Sequence, residues 1–437
     1  MNAHLQISRF VGLAGLMLLA ATAGARQVAL EVQAGQPLLK AGEKQTAYLM
    51  ITLTGPAVES ASERPPANVA IVLDKSGSMG GEKIAEAREA ALLALERLDK
   101  EDIVSIVAYD TDVRVVLPAT RLRDREQIET AIRGIEAGGN TALYGGVSRG
   151  AEELRKFQER DQVNRLILLS DGLANVGPAT PEELAALGRE LGGEGLPVTT
   201  IGLGLGYNED LMYRLAEQSD GNHVFAERAS DLASLFDEEF GSILQVVARD
   251  LRVAVRCGEG VRPVRVLGRD AEIDGRDVML ELAQLHGARD TDIILEVEVP
   301  AREAGDSLKL AEVEVEYRNL LNETDERLTS EVSARFTDSS EAIEKAENDE
   351  VMARVVQRIA AERNALATKL RDQGEIDKAR EILITNEAYL KEGAARYDAP
   401  GLGAYAEIQA GDAANLEGEN WERQRKSMRS TQYQMFR

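Results

Sequence analysis

The sequence predicts an α/β protein: a doubly wound, mostly parallel sheet inserted in an antiparallel β-sandwich-like domain and followed by a helical hairpin. Three observations predict it. Residues 68–240 alternate short apolar runs rich in β-branched side chains with stretches of helical periodicity, the pattern of a parallel sheet covered by helices on both faces. Residues 27–54 and 251–319, on either side of that block, read as strands separated by turns. Residues 339–397 carry apolar side chains at helical spacing, among them Ile343, Val351, Val355, Ile359 and Leu366.

Taken in order, residues 1–25 read as a secretory signal, with Arg9 as the positive charge, an apolar stretch over 10–21 and Ala23-Gly24-Ala25 as the cleavage site. The apolar stretch is short for a transmembrane span, and an uncleaved anchor is the alternative. Residues 27–60 begin a β segment whose strongest strand is QTAYLMITL over 45–53, preceded by a turn at Gly42-Glu43-Lys44. Residues 55–66 read as a linker.

The α/β block spans 66–243. Its candidate strands are 68–74, 102–109, 114–118, 165–170, 198–203 and 223–226. Its candidate helices are 81–98, 125–135, 144–160, 181–191, 208–217 and 229–243. The strand at 114–118 follows its predecessor after a tight turn and is expected as an antiparallel edge.

Residues 244–337 return to strands, at 251–257, 261–267, 277–281, 291–299 and 308–319, as in an antiparallel sandwich. Two or three strands alone are marginal, so the 27–60 segment is expected to join this later β domain, interrupted by the α/β block. The hairpin over 339–397 breaks at Gly374. Residues 398–437 are polar with a basic end and are expected as a flexible tail, although Trp421, Tyr433 and Phe436 offer aromatic contacts to a partner.

One stretch, NVAIVLDKSGSM over 68–79, organises the chemistry. A fully apolar strand ends in Asp74-Lys75-Ser76-Gly77-Ser78, so a carboxylate and two hydroxyls lie at the carboxyl end of a buried strand, where open α/β sheets bind ligands. Asp74, Ser76 and Ser78 alternate, and a loop that curls back points all three oxygens at one centre. Oxygen ligands suit a hard cation: Mg²⁺ first, with Ca²⁺ or Mn²⁺ as alternatives. Lys75 falls on the other side of the alternation. Asp110 and Asp112 end a strand at the same rim, where they are either solvated or able to tune partner choice.

The pattern Asp-x-Ser-x-Ser after a strand resembles the metal-ion-dependent adhesion site of von Willebrand factor A (VWA) domains. The resemblance covers about residues 68–240 and implies two further ligands: Thr141, in the loop Gly138-Gly139-Asn140-Thr141, and Asp171, after the strand Ile167-Leu168-Leu169-Ser170. In the family's arrangement Asp74 reaches the metal directly or through water, Ser76 and Ser78 give hydroxyl oxygens, Thr141 joins when the site is engaged, and Asp171 acts mainly through water. The cation then keeps an open position for an Asp or Glu carboxylate of a protein partner. The order of strands, VWA domain, strands and helices also resembles bacterial secreted relatives of inter-alpha-trypsin-inhibitor heavy chains and chloride-channel-accessory proteins. The His-Glu-x-x-His protease motif of the latter is absent from this chain.

Composition narrows the function further. The chain has 75 acidic and 51 basic residues, a formal net charge of −24, which disfavours nucleic acid and anionic lipid surfaces. A single cysteine, Cys257, permits no internal disulfide and is expected to pack as a small apolar residue. With only His4, His223 and His286, a His-rich metal site and a Ser-His-Asp triad are both disfavoured.

The expected function is therefore a non-enzymatic, metal-dependent binding protein of the bacterial cell envelope, periplasmic or secreted, with no membrane span after signal cleavage. One alternative is a metal-dependent phosphohydrolase of the haloacid-dehalogenase kind. That chemistry needs a second aspartate where Ser76 stands. Another is a structural envelope protein whose metal site is vestigial. A channel component is disfavoured because the mature chain offers no spanning segment.

Overall fold

The computed structural model describes residues 26–58, 64–122 and 125–436. The signal segment expected over 1–25, and the middle of the linker expected over 55–66, lie outside the described residues.

The central sheet has the order β6-β5-β4-β7-β8-β9, built from β4 (Ala67–Asp74), β5 (Ile103–Tyr109), β6 (Val113–Arg121), β7 (Val163–Ser170), β8 (Val198–Leu203) and β9 (His223–Ala226). All neighbours are parallel except β5 and β6, so the expected antiparallel edge strand is present. β4 is buried along its whole length, and its side chains alternate between two cores. Val69, Ile71 and Leu73 face helices α1 (Glu82–Glu96), α2 (Arg125–Arg133) and α6 (Leu232–Ile243). Ala70 and Val72 face α3 (Leu143–Arg155), α4 (Pro181–Gly193) and α5 (Glu209–Gln218). The period of 2 in a strand thus feeds both helical layers from one apolar run. α3 approaches the sheet through glycines one turn apart. A Cβ on Gly146 would lie 2.6 Å from the Tyr109 ring, and one on Gly150 2.6 Å from Val72 Cγ2. Strand order reverses about β4, with β5 on one side and β7 on the other. The loops after β4 and β7 therefore open side by side at the switch point.

The second unit is a pair of sheets. One has the order β1-β3-β14-β11, the other β12-β13-β10-β15-β16-β2. Its strands are β1 (Ala29–Ala34), β2 (Leu38–Lys40) and β3 (Gln45–Thr54) before the α/β block, and β10 (Val246–Cys257), β11 (Arg262–Val266), β12 (Glu272–Asp274), β13 (Asp277–His286), β14 (Asp290–Val299), β15 (Ser307–Asn319) and β16 (Thr324–Thr337) after it. β3 pairs antiparallel with β14 from Gln45↔Val299 to Thr54↔Asp290. Leu49, Ile51 and Leu53 enter one core with Val253, Val255, Val313, Val315 and Phe336. Cys257 ends β10 as a buried free thiol, and burial pushes its pKa up to about 11. β16 was not among the expected strands. Its sequence alternates charged or polar residues with few apolar ones, and much of it is exposed.

The C-terminal region corrects the expectation of a hairpin and a flexible tail. It holds α7 (Ser340–Ala346), α8 (Asp349–Asp372), α9 (Ile376–Arg396), α10 (Pro400–Ala414) and α11 (Trp421–Phe436). α8 and α9 turn at Gly374, whose φ of +84° lies in the left-handed region. α8 docks on the β unit through Val351, Met352 and Val355 against Met50, Leu267 and Ile294. Residues 398–436 pack through apolar side chains, among them Leu402, Tyr405, Leu416, Trp421 and Met428, and their polar side chains are also used internally. Asn364 Nδ2 donates to Gln409 Oε1 at 2.9 Å and to Asp412 Oδ2 at 2.8 Å. Gln432 Nε2 donates to Asn364 Oδ1 at 2.7 Å and Thr368 Oγ1 at 2.9 Å. A buried network of amides looks like a solvated tail in composition, yet it specifies one packing once its members are satisfied. Among the described residues no helix is long and apolar enough to cross a membrane.

Candidate metal centre

Three loops at the carboxyl end of the parallel sheet meet. The first follows β4: Lys75 N donates to Tyr109 O at 2.8 Å, which ties it to the end of β5. The second, 138–142, is held to the first by Gly138 N donating to Lys75 O at 2.7 Å and Gly77 N donating to Gly139 O at 3.0 Å. Gly139 has a φ of +76°, and a Cβ there would lie 2.9 Å from Thr111 Oγ1, so the close approach needs glycine. The third loop follows β7. Its Asn175 brackets Thr141: Thr141 N donates to Asn175 Oδ1 at 2.8 Å, and Asn175 N donates to Thr141 O at 3.1 Å.

These ties bring the five predicted residues to one rim. Asp74 Oδ1 accepts from Ser76 N at 2.8 Å, and Oδ2 accepts from Ser170 Oγ at 2.6 Å. Ser76 Oγ and Ser78 Oγ are 3.1 Å apart, and Ser78 Oγ donates to Asp171 Oδ1 at 2.7 Å. A Cβ built on Gly172 would lie 3.2 Å from Thr141 Oγ1, 3.4 Å from Ser78 Oγ and 3.7 Å from Ser76 Oγ. Three hydroxyls from two loops therefore surround one point on the third, and Gly172 leaves that point free of a side chain. Asp74, Ser76, Thr141 and Asp171 are buried, whereas Ser78 is exposed and marks the mouth.

Burial raises the Asp74 carboxyl above its ordinary pKa; the hydrogen bonds from Ser170 and Ser76 work against that rise, and the neighbouring Asp171 adds to it. A buried carboxylate without a cation beside it is costly; Lys83 pairs with Asp171, but among the described residues no ion pair reaches Asp74. Nor do the described residues gather three or more His, Cys, Asp or Glu side chains around a metal position. The donor set is two carboxylates and three hydroxyls. It fits a hard divalent cation that retains water and does not fit a soft or imidazole-bound metal.

Sequence reasoning missed three participants. Ser170 holds Asp74 from the end of β7, and Asn175 aligns Thr141. Lys83 Nζ, from the first turn of α1, pairs with Asp171 Oδ2. Ser170 directly precedes Asp171 in the quoted strand, which was the available signal. Lys83 lies beyond the loop pattern, and only the helix places it. Lys75 pairs with Asp110 and stays outside the ligand group.

A family model for the von Willebrand factor type A domain matches residues 68–238. The uncharacterised protein YfbK of Escherichia coli is 28% identical over 195 residues, covering 44% of this chain and 34% of that protein. Inter-alpha-trypsin inhibitor heavy chain H3 of Homo sapiens is 32% identical over 172 residues, covering 37% of this chain and 19% of that protein. The chain thus spans about a third or less of the length of these two relatives. A solved structure, the von Willebrand factor type A protein from Catenulispora acidiphila, shares the fold with a TM-score of 0.71 at 18% identity, over 89% of this chain and 90% of that one. Residues 68–238 of this chain are a von Willebrand factor type A domain.

Proposed function

We propose that this is a metal-dependent protein-binding protein of the bacterial cell envelope, whose VWA site captures a partner carboxylate through a divalent cation, Mg²⁺ first. The observation that carries the reading is the convergence of the Ser76, Ser78 and Thr141 hydroxyls beside the buried Asp74 and Asp171 carboxylates. Bound there, a hard cation would supply a Lewis-acidic position open to an Asp or Glu oxygen from outside.

The chain's own residues support capture rather than turnover. Asp74 is held on both oxygens by Ser76 N and Ser170 Oγ, which fixes its orientation at the site. Two exposed leucines stand next to residues of the site. Leu173, next to Gly172, is 58% exposed, and Leu205 is 38% exposed beside Gly206, whose Cβ position lies 3.0 Å from Asp171 O. A protein partner that covers these leucines would exclude water from its own carboxylate. Location in the envelope rests on the signal-like segment over 1–25.

The test is a pull-down from envelope extract with Mg²⁺, with chelator, and with Asp74→Ala. Partners retained only by the wild type with metal are the expected result. Retention that ignores both chelator and substitution would overturn the reading and move binding to the β or helical units. A second reading, a structural protein with no working metal site, is favoured by one observation: Lys83 already neutralises Asp171.

A further inference from the structure

Resting on the metal-site reading above, we propose that Lys83 is a built-in competitor of the cation and makes metal binding depend on the partner's carboxylate. The lysine sits in the first turn of α1, and its ammonium pairs with Asp171 Oδ2. The other oxygen of Asp171 accepts from Ser78 Oγ at 2.7 Å. Both oxygens of one of the two acidic ligands are therefore occupied before any ion arrives. The Asp171 side chain is 0% exposed while that of Lys83 is 37% exposed, so the lysine closes the pocket from its mouth and has solvent to swing into. The start of α1 itself adds positive potential, since Gly81 at its N-cap offers no side-chain acceptor.

Charge decides the consequence. Asp74 and Asp171 carry two negative charges, and Lys83 cancels one of them. A divalent cation entering this pocket leaves a net positive charge in a largely buried site, which is unfavourable. One further carboxylate, from a partner, restores neutrality. Metal and partner therefore bind as a linked pair: each raises the other's affinity by the same factor. Without Lys83, two aspartates and the cation balance by themselves. The metal then binds tightly alone, and an added carboxylate gains less from it.

The experiment is calorimetric titration of the full chain with MgCl₂ or MnCl₂, each without and with saturating acetate as the carboxylate probe. The variants are Lys83→Met, Lys83→Gln, Lys83→Arg and Asp74→Ala, with thermal melting as the check on folding. Thermal melting also reads the cost of leaving the buried Asp171 side chain without Lys83. The expected result is that Lys83→Met and Lys83→Gln bind the metal at least about tenfold tighter than wild type, that Lys83→Arg stays near wild type, and that acetate tightens metal binding more where the cationic side chain remains. Metal binding that Asp74→Ala abolishes but Lys83→Met and Lys83→Gln leave equal or weaker overturns the role of Lys83 and leaves the metal site standing. No binding in any variant overturns both.

Discussion

One buried lysine joins ion pairs from Arg423, Arg425 and Arg429 in tying α11 to the VWA domain, and Lys426→Met tests how much it contributes. Lys426 is 3% exposed. Its Nζ donates to Tyr207 O at 2.9 Å, pairs with Glu209 Oε2, and stands 4.3 Å from the centroid of the Tyr207 ring. Methionine keeps the apolar stem, so packing is nearly conserved and the change removes the charge. Removing one partner of a buried ion pair costs about 3–5 kcal/mol, because the other charge is left uncompensated. Here Arg425 Nη1 still reaches Glu209 Oε1 at 2.5 Å, which recovers part of that cost. The orphaned Tyr207 carbonyl adds about 1–3 kcal/mol. The net expectation is a loss of about 2–4 kcal/mol from the docking of α11. The chain has a single tryptophan, Trp421, and it is a buried residue of α11 itself. Its fluorescence in guanidinium titrations therefore reports this helix directly. A double-mutant cycle with Glu209→Gln should give a coupling of about 2 kcal/mol or more. The control is the exposed pair Lys345–Glu341, whose removal should cost under about 1 kcal/mol. If Lys426→Met shifts the Trp421 transition no more than Lys345→Met does, Lys426 is not what holds α11 to the domain.

Two further predictions concern the same interfaces. Asp412 is 1% exposed, and burial pushes its carboxyl from 3.8 up to about 6 against the hydrogen bonds from Asn364 and Gln424. Between those values the folded state binds more protons than the unfolded, so this group's contribution to stability falls as pH rises from 4 to 6, by about 3 kcal/mol in all. The stability difference between wild type and Asp412→Asn, followed by denaturation from pH 4 to 7, should therefore move in favour of the asparagine variant; a difference that is flat with pH would contradict it. Gly221 separates α5 from β9, and a Cβ there would lie 1.9 Å from Val198 O. Gly221→Ala should cost at least about 2 kcal/mol in thermal or chemical unfolding, because backbone cannot move aside as a side chain can; a melting curve like that of the wild type would refute the close approach.

What the sequence made legible follows from how locally each feature is encoded. The sheet was readable because its strands are buried on both faces. Ala67–Asp74 and Val163–Ser170 are apolar runs with little competing periodicity. The five candidate ligands were readable because each lies in a loop that directly follows, or pairs with, one of those strands. Lys83 was not: its position depends on the direction of α1 relative to the β7 loop, a tertiary fact that no spacing in the chain records. The last two helices, α10 and α11, were missed for the opposite reason. Beside a few apolar anchors such as Leu402, Tyr405 and Trp421, their burial is written in asparagine, glutamine and aspartate, residues that composition assigns to solvent. Asn364, Gln409, Asp412 and Gln432 are each at most 2% exposed, and the other three are joined through Asn364. A polar core of this kind cannot be inferred one residue at a time, since any member alone is destabilising inside and unremarkable outside. The pairing across α8, α10 and α11 lets four solvent-seeking side chains join the apolar anchors Leu402, Tyr405, Leu416, Trp421 and Met428 in folding residues 398–436 back onto the rest of the chain.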